Sequence, residues 1–261
     1  MDLDGRTCLV TGANRGLGRA IASRLAEEPV RLLVGVRELD RYRPLEPRAA
    51  LRAEVVKPVR IDLSSRTSIE DSVADLGEEL GRVDVLVNNA GEFTGGLLAD
   101  ADVDAIYSTV QANLTGWLHL TRMVLPQMLA RGAGKIVNQS SIVGYAHFPG
   151  TTVYGATKAG VSAMTHALRR ELHDSGVTTL ELITGGYDTE MLHSAAEQLE
   201  PHTDPSKWEF RDPADWADKI VKAIKSDKER LEPGGKSQLA RFAAKVPDAV
   251  MDVVTNRGFD R

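Results

Sequence analysis

Thr11-Gly12-Ala13-Asn14-Arg15-Gly16-Leu17-Gly18 stands between an apolar run, Thr7–Val10, and an amphipathic segment, Gly16–Glu27. Short apolar runs bounded by glycine favour strands, and a 3.6-residue apolar period favours helix. The stretch therefore reads as strand, turn and helix. Glycine in the turn lets the backbone bend tightly and lets an anion approach the free N–H groups at the helix start. The spacing is G-x-x-x-G-x-G, which departs from the G-x-G-x-x-G dinucleotide fingerprint. Gly12, Asn14, Arg15, Gly16, Leu17 and Gly18 are the candidate residues for a phosphate-bearing ligand.

The same alternation continues along the chain. Val30–Val36, Val59–Leu63, Val83–Val87, Lys135–Asn138 and Val177–Ile183 read as strands. Thr67–Leu80, Asp102–Leu129, Val153–Asp174 and Pro213–Ile224 read as helices, with room for a bend in the long second one. Strands alternating with long helices predict βαβ units. The expected fold is α/β, a Rossmann-like doubly wound parallel sheet with helices on both faces and right-handed crossovers. Glu38–Arg52, where a crossover helix belongs, carries Pro44 and Pro47. It predicts a loop with only a short helix after it. In the tail from Arg230 to Arg261, Leu239, Phe242, Ala243, Val246, Val250 and Val253 recur at helical spacing. That pattern predicts a helix packed on the body or on a second subunit.

Bulk properties exclude several classes. The 261 residues hold no linker-like or low-complexity run, so one domain is expected over 1–261. A net charge of −5 argues against nucleic-acid binding. Cys8 is the single cysteine, so no intrachain disulfide forms and a reducing compartment, the cytoplasm, is expected. Met1-Asp2-Leu3-Asp4 has no basic start or long apolar run, so no secretory signal is expected, and no run reaches membrane-spanning length. The six histidines lack metal-ligand spacing, so no metal is expected.

Two arginines bear on the ligand. In a doubly wound sheet the end of the second strand faces the adenosine ribose of a dinucleotide. There the chain reads Val36-Arg37, with no acid before the arginine. Arg37, together with Arg15 in the turn, suits a 2′-phosphate, because guanidinium groups pair well with phosphate. NADP is favoured over NAD, with Glu38 weighing slightly against.

Tyr154 and Lys158 stand four apart in Tyr154-Gly155-Ala156-Thr157-Lys158, and Ser141 lies thirteen residues before the tyrosine. On a helix, i and i+4 share a face, so phenol and ammonium can enter one cleft. Taken with the glycine turn, with Asn88-Asn89-Ala90-Gly91 and with Ile136-Val137-Asn138-Gln139-Ser140-Ser141, this ordered set resembles the short-chain dehydrogenase/reductase family in its compact single-domain branch. The resemblance runs from about Leu3 to Met191. It implies a hydride-transferring enzyme with Asn113, Ser141, Tyr154 and Lys158 as the catalytic set, Asn113 holding a water in a proton relay. It further implies that Asp62 and Leu63 meet the adenine and that Asn89, Ala90 and Gly91 line the cofactor near the ribose. Gly185, Tyr187 and Thr189 would cradle the nicotinamide, Tyr154 and Lys158 also touching the cofactor. Thr184 stands where the family has proline. Pro233-Gly234-Gly235 is a trace of the family's last strand signature. A homodimer or homotetramer built on the long helices is also implied.

The chemistry follows from charge. A free phenol titrates near 10. A lysine cation about 5 Å away, at an effective dielectric of about 20, contributes on the order of 3 kcal/mol, roughly two pKa units towards phenolate. Tyr154 is thereby expected to serve as general acid and base, with Ser141 directing the reacting oxygen. Phe93, Ile142, His147, Phe148, Met191 and Leu192 are expected to wall the substrate pocket, which suits an apolar or aromatic carbonyl or alcohol. Glu190–Phe210 is expected to form a mobile lid loop. Two alternatives stand beside this reading. One is an NADP-binding regulatory protein without turnover. The other is a sugar epimerase or dehydratase, which would ordinarily need a larger substrate domain.

Overall fold

Among the described residues, seven parallel strands form one sheet in the order β3-β2-β1-β4-β5-β6-β7. In chain order they are β1 (Thr7–Val10), β2 (Arg31–Val36), β3 (Val55–Arg60), β4 (Val83–Asn88), β5 (Gly134–Ser141), β6 (Val177–Thr184) and β7 (Arg230–Leu231). The helices are α1 (Gly16–Leu25), α2 (Arg66–Leu76), α3 (Glu78–Arg82), α4 (Val103–Val110), α5 (Gly116–Arg131), α6 (Val143–Ala146), α7 (Thr152–Glu171), α8 (Glu190–Leu199) and α9 (Pro213–Ile224). The computed structural model describes residues 1–234 and residue 259. The expected tail helix and Gly235 lie outside the described residues.

Alternation along β1 shows why the sheet is covered on both faces. Cys8 and Val10 point to one side, where Ile21 and Leu25 of α1 and Trp216, Ile220 and Ile224 of α9 pack. Leu9 points to the other, against a layer containing Ile69 of α2, Trp117, Leu120 and Val124 of α5 and Val161 of α7. Strand order reverses between β1 and β4. A crevice at the carboxyl ends of the strands is the usual ligand site of such a sheet. No described helix is long and apolar enough to cross a membrane.

Several elements differ from expectation. The third strand is Val55–Arg60 rather than Val59–Leu63. It is an edge strand paired only with β2, where Pro58 is tolerated. The helix expected over Thr67–Leu80 is divided at Gly77, which adopts φ +52°. The long stretch at 102–129 is three pieces, α4, a π-turn at Gln111–Thr115, and α5. β5 runs on to Ser141, because Gln139, Ser140 and Ser141 pair with β6 up to Thr184. Their polarity masked the strand. Asn138 Nδ2 is satisfied by Thr165 Oγ1 at 2.9 Å and Ser140 Oγ by the Lys158 carbonyl at 3.3 Å. In the loop after β2, a single 3-10 turn at Leu39–Arg41 opens the segment instead of following it.

The first half of the expected lid loop is helix α8. Thr189 caps it by accepting from Leu192 N at 3.3 Å, and Glu190 sits in its first turn, where the helix dipole favours an acid. Ala195 and Leu199 are its buried residues. This was readable from the sequence as a capped, helically spaced segment.

Candidate active site

Two glycines shape the first half of the crevice. A Cβ on Gly12, which has φ +64°, would lie 2.7 Å from Ala90 Cα. A Cβ on Gly18 would lie 2.2 Å from the Gly12 carbonyl oxygen. The turn, the end of β4 and the start of α1 therefore pack too closely for any side chain. Thr11 Oγ1 accepts from the backbone N–H groups of Asn89 and Ala90, each at 3.0 Å, and Asn89 Nδ2 donates to the Thr11 carbonyl at 3.0 Å. α1 begins with no side-chain cap and no acid in its first turn. Its first N–H groups are left for an anion, so these residues fit a pyrophosphate.

β5, β6 and α7 build the second half. Tyr154 and Lys158 share one face of α7. The Lys158 Nζ lies 4.5 Å from the centroid of the Trp117 ring and 5.6 Å from that of Tyr154. It donates to the Gln139 carbonyl at 2.9 Å. The Tyr154 ring packs on Phe93 with centroids 5.0 Å apart. Ser141 Oγ accepts from Val143 N at 3.2 Å and donates only weakly, at 3.5 Å, to the Thr184 carbonyl. Its proton is thus available to a reacting oxygen.

A cleft of about 1160 Å³ joins the two halves. Gly12, Asn14, Arg15, Gly16, Leu17, Gly18, Arg37, Asp62, Leu63, Asn89, Ala90, Gly91, Gly185, Tyr187 and Thr189 all line it, as do Ser141, Tyr154 and Lys158. Phe93, Ile142, Phe148, Met191 and Leu192 form the apolar wall.

Two expected site residues are not brought there. Asn113 is fully buried, and its amide is spent on structure. Its Oδ1 accepts from Glu92 N at 2.7 Å, and its Nδ2 donates to the Glu92 carbonyl at 2.8 Å and to Thr157 Oγ1 at 3.2 Å. It ties the 91–93 segment to α7 from within the π-turn. His147 is exposed and absent from the lining. It takes a left-handed conformation, φ +50°, at the end of α6, and this reversal hands the wall position to Phe148.

Sequence reasoning missed Gln139, Arg41, Tyr42, Arg43, Leu199 and Phe259, which also line the cleft. The 38–46 segment held no periodic signal, and Phe259 lies far beyond the recognisable motifs. Only Gln139 could have been found, as the residue two before Ser141 on the same face of a strand.

Burial decides the electrostatics. It pushes the Tyr154 phenol up to about 12, a hydrogen bond with Ser141 pulling partly the other way. It lowers the Lys158 ammonium to about 7. The phenol was expected to move down, and it moves up. The crevice disfavours charge on both groups, and the ammonium is committed to the Gln139 carbonyl. At neutral pH Tyr154 therefore carries its proton. The unfolded chain keeps the lysine proton up to about 10.5, whereas the folded chain releases it near 7. Burying Lys158 therefore costs stability most fully below pH 7, and that cost fades as pH rises towards 10.5.

Comparison with known proteins agrees with this geometry. Residues 6–200 match the family model for short chain dehydrogenase. The chain is 35% identical over 225 residues to glycine betaine reductase of Emericella nidulans, a match covering 85% of this chain but 18% of that longer protein. It is 34% identical over 201 residues to a 3-oxoacyl-(acyl-carrier-protein) reductase of Thermotoga maritima, covering 76% of this chain and 80% of the other. A structure of actinorhodin polyketide ketoreductase with NADPH superposes with a TM-score of 0.76 at 29% identity, covering 91% of this chain and 99% of that one.

Proposed function

Because the chain belongs to the short-chain dehydrogenase/reductase family of oxidoreductases, we propose that it is an NADP-dependent reductase of an apolar or aromatic ketone or aldehyde. The observation that carries this reading is one cleft with an anion-ready helix start at one end and a proton-bearing Tyr154 beside Ser141 and Lys158 at the other.

The glycine turn and the start of α1 would hold the pyrophosphate, and Arg15 and Arg37 the adenosine 2′-phosphate. Asp62 and Leu63 would meet the adenine; Asn89, Ala90 and Gly91 would line the ribose side. Gly185, Tyr187 and Thr189 would flank the nicotinamide. The bound dinucleotide supplies the hydride. Tyr154 gives its phenolic proton to the carbonyl oxygen, and the Ser141 hydroxyl hydrogen-bonds that oxygen and fixes its direction. Lys158 returns a proton to the phenolate. The Asn113 side chain takes no part, since its hydrogen bonds are filled. The main chain of the π-turn that carries Asn113 would be left to hold a relay water, and such turns are frequent at functional sites. Phe93, Ile142, Phe148, Met191 and Leu192 favour an apolar substrate over a sugar. Exposed Val103, Tyr107 and Leu118 on α4 and α5 support association into a dimer or tetramer. The intact set Ser141, Tyr154 and Lys158 speaks against the non-catalytic alternative.

NADPH oxidation is expected with a panel of apolar ketones and aldehydes, at least about tenfold faster than NADH oxidation at limiting cofactor, as a charge-assisted contact of about 1.5–3 kcal/mol would give. Near-equal rates would remove the NADP assignment, and no oxidation with any carbonyl would remove the reductase assignment.

The pH profile gives a second test. kcat/KM for NADPH reports groups on the free enzyme. It is expected to fall above pH 7, where Lys158 loses its charge, and to show no limb from Tyr154, whose proton is held to about 12. A profile flat to pH 9 would reject the assigned role of the ammonium.

A further inference from the structure

We infer that Arg43, on the segment after β2, is the cation that makes the adenosine end of the cleft selective for a 2′-phosphate. The inference rests on the NADP reading and deepens it.

The two arginines that the motifs single out are both compensated. Arg15 Nη1 lies 2.6 Å from Glu190 Oε2 on α8. Arg37 Nε lies 3.7 Å from Glu38 Oε1, and Glu38 also takes Arg41 Nε at 2.9 Å. Asp40 lines the same end of the cleft. Glu38 and Glu190 thus hold Arg15, Arg37 and Arg41 in ion pairs, and Asp40 and Asp62 add further negative charge at this end. Arg43 also lines the cleft, and its guanidinium has no acidic partner among the described residues. Of the arginines that line the cleft, Arg43 is the one with no carboxylate at ion-pair distance among the described residues.

The position of Arg43 is built. Its backbone N–H donates to Asn14 Oδ1 at 3.2 Å, and Asn14 Nδ2 donates to the Arg41 carbonyl at 2.8 Å. Arg19 Nη1 on α1 donates to the Arg43 carbonyl at 2.9 Å, and its Nη2 to the Pro44 carbonyl at 2.6 Å. An irregular segment is thereby clamped to the phosphate-binding turn, with its backbone fixed and its guanidinium unspent. A planar guanidinium free of a carboxylate can give a phosphate two parallel N–H bonds without first breaking an ion pair.

The test is fluorescence titration of the full chain with NADPH and with NADH, for the wild type, Arg43→Gln, Arg43→Lys and Arg15→Gln. Arg43→Gln is expected to weaken NADPH about tenfold and leave NADH within about twofold, with Arg43→Lys in between, as for one exposed charge-assisted contact. Arg15→Gln is expected to cost less, because its charge is shared with Glu190. An unchanged melting temperature keeps the comparison clean, since the Arg43 side chain makes no hydrogen bond or ion pair among the described residues. A wild type that prefers NADPH with an Arg43→Gln ratio equal to its own overturns the inference alone. A wild type with no preference for NADPH overturns the NADP reading and the inference together.

Discussion

Tyr154→Phe is expected to lower kcat for carbonyl reduction by about 10²–10⁴-fold, the usual worth of a positioned general acid, while NADPH affinity stays within about twofold of wild type. The substitution removes one oxygen and its proton. The ring that packs on Phe93 at 5.0 Å and lies beside the Lys158 Nζ at 5.6 Å remains. On the proposed reading the phenol is the acid, because burial holds its proton to about 12, while Lys158 loses its own near 7. Ser141 cannot substitute, since an alcohol stabilises a developing oxyanion without giving up its proton. Single-turnover NADPH oxidation and a binding titration on the same preparation separate the two effects. If more than a tenth of the rate survives, the proton comes from elsewhere and the assignment of Tyr154 fails.

Thr184→Val should produce the largest loss of stability among near-isosteric changes at the site. Thr184 stands where the family resemblance leads one to expect proline, and the structure shows what its hydroxyl does. Its Oγ1 accepts from the Gln139 amide and, at 3.1 Å, from the Trp216 indole N–H. Trp216 is 1% exposed and Gln139 7%. Removing the oxygen leaves two buried donors unpaired, each costing about 1–3 kcal/mol. Activity should fall as well. The Gln139 carbonyl holds the Lys158 ammonium, and the Thr184 carbonyl accepts from Ile142 N at 3.0 Å, next to Ser141. Thr184→Ser should retain both properties. Thr184→Val with Gln139→Leu should lose less than the sum of the single changes, because removing both partners strands fewer polar groups. Chemical denaturation of wild type, Thr184→Val, Thr184→Ser, Gln139→Leu and the double variant measures this. A Thr184→Val protein as stable as wild type would show that the two hydrogen bonds carry no weight.

The readability of the chain varies with the kind of residue. β1, the start of α1 and all of α9 lie where the pattern of apolar residues and glycines puts them, because these signals are local. Gly12 and Gly18 were legible for a similar reason, since the close approach that excludes a Cβ recurs wherever a turn meets a helix start. β3 was displaced because Pro58 argues against a strand unless one knows that the strand is an edge. β5 was cut short because Gln139, Ser140 and Ser141 look like loop until α7 and β6 supply their partners. Asn113 and His147 were drawn into the site by their place in a motif or between two motifs. The Asn113 side chain is instead bonded to Glu92 and Thr157, and His147, at a positive φ, is exposed and does not line the cleft.

Order and spacing along the chain were sufficient for the α/β doubly wound class, the glycine turn and the meeting of Ser141, Tyr154 and Lys158 in one cleft, since each depends on residues near in sequence or on one helix face. Tertiary structure alone decided the direction of the Tyr154 and Lys158 shifts, the pairing of Arg15 and Arg37 with acids, the unspent charge of Arg43 and the work of the Thr184 hydroxyl. Those properties depend on desolvation and on partners far away in the sequence, and neither exists until the sheet, α7 and the 38–46 segment have closed around the cleft.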